Sequence, residues 1–141
     1  MTTTTKLAAG RKMMMGERFL NISNHELTQV QIEELKSYGV QEIIELPNCF
    51  KTDWSQLTPD NYRQICEELK IFMKENDIWD AHLAGFPAAV NYLCLKPVRG
   101  QSFYFAFSER QSKEETLPDG SVKKTNVFVH KGFFPYEQNW D

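Results

Sequence analysis

Three short stretches of this chain carry side chains suited to holding or cleaving a phosphate ester. Ser23-Asn24-His25-Glu26 sets a hydroxyl, an amide, an imidazole and a carboxylate on one turn. Such a group can hydrogen-bond a phosphate and move a proton near neutrality, because an unperturbed imidazole titrates at about 6.5. Ser and Asn are also ordinary turn formers, so His25 carries the chemical reading. The second stretch is Ala84-Gly85-Phe86-Pro87-Ala88-Ala89. Gly85 permits close backbone approach, and Pro87 opens a short helix whose N-terminal N–H groups can meet a phosphate or ribose oxygen. Ala88 and Ala89 equally suit close helix–sheet packing. Neither GxGxxG nor GK[ST] is present, which excludes a dinucleotide fingerprint and a Walker A loop. The third stretch is Ser108-Glu109-Arg110. Arg110 can grip a phosphate through its planar fork, with Glu109 as a base or as its orienting partner, and a plain surface ion pair is the competing reading.

Metal chemistry is not expected. His25, His82 and His130 are far apart, and no HxH, HExxH or cysteine pair gives ligand spacing. His82 lies in a predicted strand and reads as a packed or hydrogen-bonded histidine. His130, in the last strand, either faces a ligand or caps a sheet edge. Cys66 and Cys94 sit among apolar helical neighbours, as core residues do. With Cys49 they make an odd number that cannot all pair, which fits a reduced, cytoplasmic protein without cofactor.

These loops need a frame. Arg18–Ile22 reads as a strand. Thr28 and Gln31 form a capping box, with Leu27 and Ile32 as its staple, for a helix that Gly39 ends. A second strand covers 42–46, before Pro47. Thr58 and Pro59 open the next helix, whose buried face is Tyr62, Ile65, Leu69 and Phe72 and which Asn76-Asp77 end. A strand over 78–84, a helix over 88–95 and an apolar, aromatic strand over 102–107 follow. The last strand reads as buried on both faces. Residues 109–117 are polar, Asp119-Gly120 signals a turn, and 122–134 alternate as a strand with Asn126, Phe128 and His130 on one side. The expected fold is α/β: a Rossmann-like, mostly parallel sheet flanked by helices, with a C-terminal β-hairpin. Ligands of such sheets bind beyond the carboxyl ends of the strands, where all three stretches lie.

The chain has 141 residues, 41% of them hydrophobic, enough for one domain. Residues 1–16, with four threonines in a row and three methionines, read as a loose leader to a single domain over 17–141. No apolar run is long enough to span a membrane, and the opening has no signal-peptide core. The net charge of -3 argues against binding duplex DNA or RNA, where phosphate neutralisation dominates. Basic residues concentrate in 96–131, including Arg110, Lys123, Lys124 and Lys131, so an anion site draws on that half, with Arg110, Lys124 and His130 as candidates.

The opening, Phe19-Leu20-Asn21-Ile22-Ser23-Asn24-His25-Glu26-Leu27-Thr28, then Gln31-Ile32 and 39–47, resembles that of small stand-alone CARF-type ring nucleases of type III CRISPR systems. So do the tail, Asp119-Gly120-Ser121-Val122-Lys123-Lys124 with 127–130 and 133–136, and the loop 85–89. The resemblance implies a CARF-type fold and a two-fold homodimer. It also implies metal-independent degradation of a cyclic oligoadenylate, cyclic tetra-adenylate in the first instance. Ser23, Asn24 and His25 would match the family's first-strand loop, Gly85 and Phe86, with Pro87 and Ala88 beside them, its third-strand loop, and Ser108, Glu109 and Arg110 its fourth. The nucleophile available without a metal is the ribose 2′-hydroxyl of the RNA itself, with His25 as acid or base. Two other classes stay open: a module that binds the messenger without cleaving it, and a protein-interaction domain using hairpin 109–130.

Overall fold

The computed structural model describes residues 13–139. It is a mixed α/β fold, loosely Rossmann-like, whose five-stranded sheet has the order β2-β1-β3-β4-β5. β1 (Arg18–Ile22), β2 (Glu42–Glu45) and β3 (Asp80–Leu83) run parallel with the start of β4 (Ser102–Thr116). β5 (Val122–Pro135) returns antiparallel along the whole of β4. Alternation sends Phe19, Asn21, Asp80, His82 and Tyr104 to one face of the sheet, and Leu20, Ile22, Ala81, Leu83 and Phe103 to the other.

The first face is covered by α1 (Gln29–Ser37), whose Leu35 packs with Phe19, Tyr104 and Phe133. The capping box forms as expected: Gln31 N donates to Thr28 Oγ1 at 3.2 Å, and Thr28 N donates to Gln31 Oε1 at 2.9 Å. The second face is covered by α2 (Asn48–Ser55), α3 (Tyr62–Glu75) and α4 (Pro87–Leu95), which bury Trp54, Ile65, Cys66, Leu69, Met73, Ala89 and Leu93 against the strands. Fully burying a Leu or Ile of this core contributes about 1.5–3 kcal/mol. Burial pushes the Cys66 thiol up to about 12 and that of Cys94 to about 11, which keeps both protonated in the core. No helix among the described residues is long and apolar enough to cross a membrane.

Several boundaries differ from the sequence reading. α2 was not expected; it follows Pro47 and is held by Trp54, whose Nε1 donates to Ala84 O at 2.8 Å. The helix expected to open at Thr58 starts at Tyr62 instead. Thr58 serves a tight turn, with its N–H on Asn61 Oδ1 at 2.7 Å and its hydroxyl accepting from Asp60 N at 3.3 Å. Burial of β4 on both faces holds for Phe103 and Tyr104 but not for Phe107, which is exposed because the strand runs out past the helices. Of residues 1–16, those from 1 to 12 lie outside the described residues. Met15 is buried in the core, its N–H on Tyr38 O at 2.9 Å, and Gly16 N donates to Asp80 Oδ2 at 2.8 Å.

β4 pairs with β3 only through Tyr104, so beyond that point it has β5 alone beside it. The two strands form a projecting arm, closed at its tip by the turn 117–121, where Ser121 N donates to Asp119 Oδ1 at 2.9 Å. The paired stretch from Ser108 to Thr116 spans roughly 30 Å at the rise of an antiparallel strand. Where the arm leaves the sheet, the register slips: Phe107 pairs with Gly132 but Ser108 with His130, leaving Lys131 as the extra residue of a bulge.

Candidate functional site

Asn21, fully buried at the carboxyl end of β1, organises one side of the carboxyl edge. Its Nδ2 meets two acceptors, His25 O at 2.8 Å and Glu45 Oε1 at 3.1 Å, so the amide orientation is set by chemistry. Oδ1 then accepts from Ser23 Oγ at 3.0 Å and from His82 Nδ1 at 2.9 Å. His82 therefore carries its proton on Nδ1 and leaves Nε2 as a lone pair. Burial, with His130 as a nearby second cause, pushes the His82 imidazole down to about 4, so it is neutral at pH 7. This confirms the reading of His82 as a packed, hydrogen-bonded histidine.

The same network folds the 23–26 loop over this face. Ser23 is buried; its hydroxyl lies 2.9 Å from His25 O and accepts from His25 N at 3.2 Å. Ser23 is thus a positioning residue, its oxygen engaged within the protein. Asn24, His25 and Glu26 are exposed on the loop.

On the neighbouring side Glu34 of α1 gathers three donors. His130 Nε2 lies 2.5 Å from Oε1, while Tyr38 OH at 2.6 Å and Phe133 N at 2.9 Å meet Oε2. Burial and the Glu34 carboxylate both raise the Tyr38 phenol above its ordinary value, which keeps it a donor. The bulge turns His130 onto Glu34, as bulges re-aim side chains beside sites. Gly132 follows at φ +150°, a backbone conformation that favours glycine. Nε2 donates to the carboxylate, while Nδ1 is buried and has no hydrogen-bond partner among the described residues. His82 and His130 both pack edge-on to the Phe133 ring, with centroids 5.6 and 5.3 Å away.

Glu34→Ala strips an acceptor from three donors at once. We expect a loss of about 3 kcal/mol in urea unfolding, with Glu34→Gln losing less because it keeps one acceptor oxygen. A loss under about 1 kcal/mol for the alanine variant would show that the three donors find other partners.

The arm continues the same face. Ser108 pairs with His130, and the next pair on that side is Arg110 with Phe128. Farther out come Ser112 with Asn126 and Glu114 with Lys124, the last an exposed ion pair at 3.7 Å. Arg110 has no ion-pair partner among the described residues. Glu109 alternates to the opposite face and does not orient it.

The third-strand loop belongs to the other side of the sheet. Gly85 and Pro87 line a groove of about 520 Å³ with Val90, Asn91, Cys94 and Tyr136. Gly85 has φ +143°, and a Cβ there would lie 2.7 Å from Trp54 Nε1, so helix packing accounts for this glycine. Phe86 packs on Tyr62, with centroids 6.0 Å apart, and Ala88 lines a separate hollow beside Tyr62 and Tyr92. The structure thus brings His25, His82, His130, Ser108 and Arg110 to one face and leaves 85–88 on the other. Glu34 and Asn21, which hold the histidines, carry no local sequence signal of that role. Among the described residues no three His, Cys, Asp or Glu side chains gather as a metal site.

A family model described as the uncharacterized protein MJ1673 family matches residues 17–134. No curated protein and no solved structure matches the chain.

Proposed function

The chain belongs to the uncharacterized protein MJ1673 family, a description without a chemistry, and we propose from the site itself that it binds and opens a cyclic oligoadenylate, cyclic tetra-adenylate in the first instance, as a ring nuclease of CARF type. The observation that carries the reading is that one face of the carboxyl edge holds the exposed His25 loop, the Asn21-bound His82, the Glu34-bound His130 and Arg110, which has no ion-pair partner among the described residues. The likeness of residues 19–28 and 119–136 to stand-alone ring nucleases supplies the ligand class.

In this reading Arg110 holds a phosphate by charge-assisted hydrogen bonds. His25, the exposed histidine on the rim, accepts the proton of a ribose 2′-hydroxyl while Ser23 and Asn21 fix its loop. The 2′-oxygen bonds to phosphorus, the bond from phosphorus to the 5′-oxygen breaks, and the 5′-oxygen takes up a proton. The product is a linear chain with a 2′,3′-cyclic phosphate and a 5′-hydroxyl, isomeric with the ring. Much of the acceleration comes from alignment of the attacking hydroxyl. Two copies around a two-fold axis would match the symmetry of a ring, and light scattering should give twice 16.5 kDa.

Incubation with cyclic tri-, tetra- and hexa-adenylate, followed by chromatography, tests the reading. Consumption of one ring supports it; rings neither consumed nor retained overturn it. Retention without consumption selects the second reading, a binding module, which the burial of His82 and His130 favours by leaving His25 as the accessible imidazole. Arg110→Ala should weaken ring binding about tenfold or more, and unchanged affinity removes Arg110 from the site.

A further inference from the structure

We infer that the cross-strand pair Arg110–Phe128 is a nucleotide clamp, in which the Phe128 ring stacks an adenine while Arg110 holds the adjoining phosphate; this rests on the ligand class proposed above. Phe128 is 72% exposed, the most open aromatic side chain among the described residues. Among the described residues it has no ring contact, unlike Phe105, Phe107 and Phe134, which pack on one another at the root of the arm. Arg110 stands directly opposite it and has no ion-pair partner among the described residues. Their juxtaposition sets a flat apolar face beside a positive charge, the two contacts that a ligand both flat and anionic would use.

The geometry suits a nucleotide. Side chains directly opposite on an antiparallel pair start about 5 Å apart, so the ring and the guanidinium can meet two parts of one ligand. The pair follows Ser108–His130 on the same face, so a nucleotide held there lies against the histidine side of the carboxyl edge. Every base has a π-face, and aromatic stacking provides affinity without a hydrogen-bond code. The clamp therefore takes a phosphate-linked nucleotide whatever its base, with stacking at Phe128 and charge at Arg110 as separable parts.

The test uses a cyclic tetra-adenylate with 2′-O-methyl riboses, which cannot be opened through its own hydroxyls, carrying one 2-aminopurine in place of adenine. With wild-type protein the probe should bind and its fluorescence should be quenched by stacking. Phe128→Ala should lose about tenfold to a hundredfold in affinity, together with the quench, and Phe128→Tyr should retain both. Its salt dependence should match the wild type, whereas Arg110→Ala should flatten it. Both variants should keep the wild-type melting midpoint. Equal affinity and quench for Phe128→Ala overturn the clamp while leaving the ring-binding proposal intact. Equal affinity with a fall in assembled mass also overturns it, and assigns Phe128 to a contact between copies. A wild-type protein that ignores the probe overturns the ring-binding reading and the clamp together.

Discussion

Lowering the pH from 7 to 4 should cost the folded protein about 3 kcal/mol through His82 alone. The imidazole is 8% exposed, donates from Nδ1 to Asn21 and has His130 nearby, so its pKa falls from 6.5 to about 4. Between those two values the unfolded chain takes up a proton that the folded chain refuses. The contribution is therefore complete above about pH 6.5, declines as the pH falls, and is gone near pH 4. Burial raises the Asp80 carboxyl, which works in the opposite sense, so the comparison with a variant decides the matter. His82→Asn places an amide nitrogen where Nδ1 stands, so it can donate to Asn21, and it does not titrate. Urea unfolding at pH 7, 5.5 and 4 should show a clearly flatter pH dependence for His82→Asn than for wild type. Parallel dependences would place the acid sensitivity elsewhere.

Blocking the ribose 2′-hydroxyls should abolish ring opening and leave binding in place. The proposed nucleophile belongs to the substrate, so a cyclic tetra-adenylate methylated at those oxygens has nothing to attack with, and its turnover should fall at least about a thousandfold. The unmodified ring should give a first product of unchanged mass ending in a 2′,3′-cyclic phosphate. Addition of a water in that first step would identify hydrolysis instead. Activity should persist in EDTA, because the proposed nucleophile is the substrate's own hydroxyl and needs no metal-bound water. His25→Ala should lower kcat by about a hundredfold or more with a smaller change in affinity, as expected for a group that acts on a proton in flight. Cleavage of the methylated ring would overturn the mechanism.

Much of the frame is local physics and was legible from the residues. The Thr28–Gln31 box, the Asp119-Gly120 turn, the first strand and the common side of Asn126, Phe128 and His130 each depend on neighbours a few positions away. α2 was not legible, because Asn48–Ser55 has Trp54 as its one buried residue and is held by a bond to Ala84 rather than by its own periodicity. The arm's length was hidden for a similar reason: the polar stretch after Phe107 is strand because β5 lies beside it.

The candidate site divides the same way. Local pattern is enough to put His25 at the end of the first strand, Arg110 after the fourth, and Phe128 and His130 on one side of the last. The meeting of Glu34 with His130 across 96 positions, that of Asn21 with His82 across 61, and the turn of 85–88 to the opposite face come from the assembled fold. The physical reason is that a buried polar group must find a partner wherever the chain brings one. That partner is set by sheet order, register and a one-residue bulge, which are collective properties of the fold.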